Sequence, residues 1–372
     1  MTSTSGKRKT LRTVLSLLPA AAAAALVAVF YAMRSDTAFM TSVSTGFSRP
    51  FRDFAAGITQ YVPFSLMELC YALLILWALY FVIRTTAGFV SRKREAGEKP
   101  AYLAKRILLL VTAGLVIWAG ACWIWFTGYY SPWLAERSGL ENRAVAPEEL
   151  AAVTEFFVDR ACIMSTEVER DEDGHFIESY GNYSRMIDTV YDNISGMLPA
   201  LEGRNYRPKS MLSSKLMSRL GFTGFYFALT GETNINTDSP ACLLPATVAH
   251  EAAHQRGVLS EDEANFAAIA ACITCDDPVY KYSRYLMGTI HLMNTLLTVS
   301  TPTWQELYGR FTDEMKTDWE DNSAYWAVKK TKVTEISEDI YDSYLKANSQ
   351  ELGIRSYGAC VDLLVDWLIV KE

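Results

Sequence analysis

The sequence predicts a mainly helical membrane protein, and three observations carry that prediction. Three long apolar runs stand near the N-terminus: Val14 to Met33, Tyr61 to Val82 and Ile107 to Phe126. The rest reads as a succession of amphipathic helices interrupted by one short extended stretch. A His-Glu-x-x-His pentapeptide, His250-Glu251-Ala252-Ala253-His254, lies inside one of those helices. The expected architecture is a membrane anchor of three transmembrane helices in residues 1–128, followed by a mostly helical outer domain, 129–372, with a small β element.

Each apolar run approaches the roughly 20 residues a helix needs to cross a bilayer. Glu68 is the only charge inside them, and Trp, Tyr and Phe crowd the ends of the third, as interfacial anchors do. Lys7, Arg8, Lys9 and Arg12 precede the first run, as they would in a signal peptide. That run is longer than a usual signal core and ends in Phe30-Tyr31-Ala32-Met33 with no clear small-x-small cleavage site, so it reads as an uncleaved anchor. Basic residues set the orientation. The second connector holds Arg84, Arg92, Lys93, Arg94, Lys99, Lys105 and Arg106, whereas the first holds only Arg34, Arg49 and Arg52. The positive-inside rule then places the N-terminus and second connector in the cytoplasm and everything after Phe126 outside it. Residues 1–128 carry a net charge of +9 and residues 129–372 one of −16. An outer domain so acidic excludes nucleic acid as a partner and does not favour anionic lipid surfaces.

In the outer domain, Gly128-Tyr-Tyr-Ser-Pro132 breaks the third run, and Pro147 at a first helical position opens a helix reaching about Glu169. A second helix is expected over Ser184 to Leu198. Thr230-Gly-Glu-Thr-Asn-Ile-Asn236 is the clear extended stretch. The motif helix runs from near Pro245 to Gly257, an expected residue just past a helix end. Ser260 to Glu263 fits a capping box that opens the next helix, reaching about Cys275. Further helices are expected at 279–299, 303–316 and 332–347, and from Tyr357 to Val370. Of seven cysteines, Cys70 and Cys122 fall in membrane runs, and the Cys272-x-x-Cys275 pair reads as small buried residues in an Ala-rich helix.

The pentapeptide carries the chemistry. Residues four apart share one helical face, so His250 and His254 can bind a single Zn²⁺. Glu251 is then placed to take a proton from zinc-bound water. Half of the four histidines, the others being His175 and His291, fall in this motif. A catalytic zinc site takes a third protein ligand and keeps one position open. Glu261 is the first choice and Glu263 the reserve, although acidic residues also suit a helix N-terminus for electrostatic reasons. Asn265, one turn after Glu261, can hydrogen-bond a ligating imidazole. Tyr282, Tyr285, His291 and Tyr357 are candidates to stabilise a developing oxyanion. Residues Thr230 to Asn236 could offer a strand edge to an extended peptide, with Glu232 or Asn234 meeting its polar groups.

Pro245-Ala-Thr-Val-Ala-His-Glu-Ala-Ala-His-Gln-Arg-Gly257, followed by Glu261-Asp-Glu-Ala-Asn-Phe266, resembles the bacterial membrane family catalogued as domain of unknown function 3810. Thr230 to Asn236 and Ser356-Tyr-Gly358 resemble further signatures of that family, and the resemblance covers nearly the whole chain. It implies a zincin-like metallopeptidase, in a bacterial cytoplasmic membrane, with no established substrate. Glu261 and Asn265 also match the Glu-x-x-x-Asp/Asn spacing of gluzincin peptidases, across a gap after His254 that is shorter than usual. The third histidine of metzincins is absent, with Ser260 in its place.

The leading expectation is thus a membrane-anchored zinc metallopeptidase acting on a peptide or protein substrate. The alternative is a non-catalytic zincin-like sensor or scaffold. Glu251 favours the enzyme, since a structural site needs no general base, and the cytoplasmic parts contain no effector domain. Cleavage within the membrane is disfavoured because Arg256 and an acidic cluster flank the motif.

Overall fold

A computed structural model describes residues 3–91, 95–140, 145–348, 350 and 360–369. The chain divides into two units, Met1–Phe51 with Met67–Ser131, and Arg52–Leu66 with Pro132–Glu372. The boundary expected at 128/129 thus falls a few residues later, and a segment from between the first two membrane runs joins the second unit.

Helices α1 (Ser3–Met33), α2 (Thr37–Val43), α3 (Arg49–Thr59), α4 (Leu66–Val90) and α5 (Lys99–Gly120) follow one another, and α3 passes from the first unit into the second. Three spans are long and apolar enough to cross a bilayer: Ser16–Met33, Leu66–Val90 and Lys99–Tyr130, the last continuing α5 through a π turn and a 3₁₀ turn. α1 lies along α5, and Leu73, Ile75, Leu76 and Ile83 of α4 are exposed, as side chains that lipid would cover. The second span starts at Leu66 rather than Tyr61. Residues 61–65 are held elsewhere: the Val62 carbonyl accepts from Lys209, and the Ser65 hydroxyl donates to Asn234.

The second unit contains α6 (Leu134–Ser138), α7 (Pro147–Ser165), α8 (Tyr180–Val190), α9 (Asp192–Met197) and α10 (Ser214–Leu220). The motif helix is α11 (Leu244–Gln255), and α12 (Glu261–Thr274), α13 (Pro278–Val299), α14 (Thr301–Gly309), α15 (Asp313–Lys329), α16 (Lys332–Ala347) and α17 (Cys360–Ile369) follow. Three short strands, β1 (Lys209–Ser210), β2 (Gly224–Phe227) and β3 (Glu232–Ile235), form a sheet in the order β1-β3-β2. β3 runs parallel to β1 and antiparallel to β2, with Asn234 opposite both Lys209 and Phe225.

The core is built around α12, whose residues from Glu261 to Cys272 are all buried. Ala264, Ala267, Ala268, Ala270 and Ala271 are inaccessible to solvent, and their small size lets α11, α13 and α17 close around this helix. On its far side α13 lies along α7. The single helix expected at 303–316 is two. α14 ends at Gly309, and Thr312 starts α15 by accepting the Met315 amide at 3.2 Å, with Asp313 and Glu314 in the first turn. The seven cysteines are all free, with Cys272 and Cys275 buried.

Candidate metal centre

Pro245 occupies the first turn of α11, and Gly257, with φ of +89°, ends the motif helix in the left-handed region. The helix sets the His250 and His254 rings edge to face, 4.7 Å between centroids. The chain then turns, and the first residue of α12 returns to them. Glu261 Oε2 lies 3.1 Å from His250 Nε2 and Oε1 lies 3.7 Å from His254 Nε2. One ligand atom from each of the three residues falls within 4.8 Å of the others. Glu261 itself is anchored from two sides: the Tyr341 hydroxyl donates to Oε1, and its amide donates to Gln350 Oε1 at 3.1 Å.

Whether these residues suit a metal is decided by their other nitrogens. His254 Nδ1 lies 2.7 Å from the Val258 carbonyl, which can only accept, so the neutral ring carries its proton there and leaves Nε2 bare. His250 Nδ1 lies 2.9 Å from Asn265 Oδ1, which orients the second ring in the same way. With both rings neutral, two imidazole lone pairs and a carboxylate converge, a donor set suited to a cation. Burial works against a charged His254, yet Glu261 and Glu251 raise its pKa to about 9. Burial would likewise raise Glu261, but His254 and His250 hold it well below the usual carboxylate range. A two-histidine, one-carboxylate set in so negative a field fits Zn²⁺.

Glu251 is 4% exposed, and its Oε2 has no hydrogen-bond partner among the described residues. Burial pushes its pKa up to about 8, against the nearby His254. Room for this carboxylate comes from β2: a Cβ at Gly224 would stand 2.5 Å from Glu251 Oε1.

The other nominated residues lie elsewhere. Glu263 accepts the amides of Leu134 and Ala135 at 2.8 and 2.7 Å, the start of α6, and so serves a helix N-terminus instead of the histidines. The capping box expected at Ser260 is not formed: its hydroxyl donates to Glu263 Oε2 at 3.1 Å and makes no cap to α12. Tyr285 packs edge-on against Phe156 and Phe157 of α7, and the Tyr282 hydroxyl is taken by Asp318. His291 is half-buried, its enclosed Nε2 without a partner among the described residues, and desolvation lowers its pKa to about 4. Tyr357, like the Ser356–Gly358 signature, lies outside the described residues. β3 is the central strand, so Thr230–Asn236 offers no edge to a peptide. Glu232 accepts the Leu66 amide, and Asn234 accepts from Ser65. Tyr341 was not among the candidates. Its only sequence signal is its position on α16, seven residues after buried Thr334 and four before buried Leu345, on the inward face.

A family model described as "Protein of unknown function (DUF3810)" matches residues 44–365. The chain belongs to that family. The match takes in the candidate-site residues His250, Glu251, His254, Glu261 and Asn265, together with Tyr341. No curated protein and no solved structure matches this DUF3810 chain.

Proposed function

We propose that this DUF3810 protein is a membrane-anchored zinc metallopeptidase. The observation that carries the reading is the convergence of His250 Nε2, His254 Nε2 and the Glu261 carboxylate beside an unpartnered, buried Glu251. His250, His254 and Glu261 would hold the ion, with Asn265 and Val258 fixing the two rings. Bound zinc supplies a Lewis acid and lowers the pKa of a ligated water to about 7. Glu251 receives the proton of the attacking water at its free Oε2 and delivers it to the leaving amine nitrogen. Tyr341 keeps Glu261 from rotating away. The distribution of basic residues supports an extracytoplasmic position for the site and a cytoplasmic N-terminus.

The test uses the full chain in detergent, with metal analysis and a peptide library read by mass spectrometry. One zinc per chain is expected, lost in His250→Ala and kept in Glu251→Gln, with cleavage slowed by ~10²–10⁴ in Glu251→Gln. A folded wild type without stoichiometric metal sinks the peptidase reading and leaves the sensor or scaffold.

A further inference from the structure

One side of α11 rests on β2. Alternate residues of a strand face the same way, and Gly224 and Tyr226 are such a pair. The Gly224 position lies against Glu251, and the Tyr226 ring stacks on His254 with centroids 6.4 Å apart and planes at 26°. β2 is held by β3, and β3 and its turn are held by the segment from Arg52 to Leu66. Thr59 Oγ1 donates to the Thr230 carbonyl at 3.1 Å, Ser65 Oγ to Asn234 Oδ1 at 2.6 Å, and the Leu66 amide to Glu232 Oε1 at 3.2 Å. Lys209 of β1, 5% exposed, donates to the Thr59 carbonyl at 2.8 Å and to the Val62 carbonyl.

The tightest contact is at the turn joining β2 to β3. Gly231 there has φ of +68°, and a Cβ would stand 2.5 Å from the Arg52 carbonyl and 2.8 Å from the Ala56 nitrogen. Backbone lies directly on backbone. Gln255, the last residue of α11, donates to the Gly231 carbonyl at 2.8 Å, so the segment, the turn and the end of the motif helix meet in one place. The Arg52 side chain completes this junction. It is 2% exposed, and its Nη2 stands 3.7 Å from where a Cβ of Gly257 would be, at the C-terminal end of α11, where positive charge is favoured.

We infer that Arg52–Leu66 positions the metal centre: it fixes the β2–β3 hairpin, which seats Tyr226 on His254 and keeps the Gly224 gap open for Glu251. Arg52 and Tyr226 are positioning residues that touch no reacting atom. The inference rests on the metal site proposed above.

Zinc affinity measured by chelator competition on the full chain in detergent tests it, with the visible spectrum of the cobalt-substituted protein and the melting temperature of the metal-free protein recorded alongside. Tyr226→Leu and Arg52→Met are expected to weaken zinc binding by ~10–100-fold and to shift the cobalt spectrum, whereas Tyr226→Phe and Arg52→Lys stay within about threefold of wild type. The Tyr226 hydroxyl has no partner among the described residues, so its removal isolates the ring. If Arg52→Met does not fold, as its metal-free melting will show, the two Tyr226 variants decide. Wild-type affinity and spectrum in Tyr226→Leu overturn the inference while leaving the zinc site standing. A wild type that binds no zinc removes both.

Discussion

The two sides of the motif helix are built differently. On the helical side, α12 begins seven residues after His254 and delivers Glu261 and Asn265 to the two imidazoles. On the sheet side, Gly224 and Tyr226 meet Glu251 and His254 through a hairpin held by residues 52–66. The helical side supplies the carboxylate and the amide that meet the imidazoles. The sheet side supplies space and orientation, and it does so with segments far apart in sequence. In the proposed metal centre this division gives two separable modes of failure, loss of the ion and loss of alignment.

Substitutions can test that division. The largest effect is expected from Gly224→Ala, whose Cβ would displace the Glu251 carboxylate: kcat should fall by ~10² while zinc stays bound, since misplacing a reacting group by about 1 Å costs that much. Zinc loss in Gly224→Ala would show that the sheet side also carries binding. Asn265→Ala acts from the helical side and should weaken zinc by ~10–100-fold, read by chelator competition. Glu263→Ala leaves the Leu134 and Ala135 amides without their acceptor, and should cost about 1–3 kcal/mol in denaturant unfolding with zinc affinity unchanged. A changed affinity there would make Glu263 part of the site after all. Tyr341→Phe removes one hydrogen bond to Glu261. A charge-assisted bond of this kind is worth about 1.5–3 kcal/mol when fully realised, and its partial exposure places the expected effect at the lower end, seen as a weaker zinc affinity.

The same division explains what the sequence made legible. His250, His254, Glu261 and Asn265 could be named because helical periodicity and one short turn bring them together, and such local geometry is written in spacing. The three membrane spans were legible for a similar reason: length and apolarity are local properties. Pairing of distant segments is not local. Thr230–Asn236 read as a strand, but nothing within it says that strands lie on both sides or that Glu232 and Asn234 are occupied by residues 65 and 66. Glu263 read as a possible ligand because the partners that claim it, Leu134 and Ala135, stand well over a hundred residues earlier. Tyr341 arrives at Glu261 from 80 residues downstream, and a tyrosine on an amphipathic helix carries no mark of its destination. The break between α14 and α15 has a smaller signal, the single cap residue Thr312 inside an otherwise helical stretch.

The segment from Arg52 to Leu66 also sets an order of events during synthesis. Ser65 leaves the ribosome 169 residues before its partner Asn234. Until then Lys209, Thr59 and Leu66 also lack the neighbours that hold them together in the finished sheet, and the emerging segment must be kept from competing contacts. Contacts of such long sequence separation form late and slowly. The hairpin beside Glu251 therefore locks only after most of the chain has been made, so the candidate site takes its final arrangement well after the three membrane spans have been synthesised.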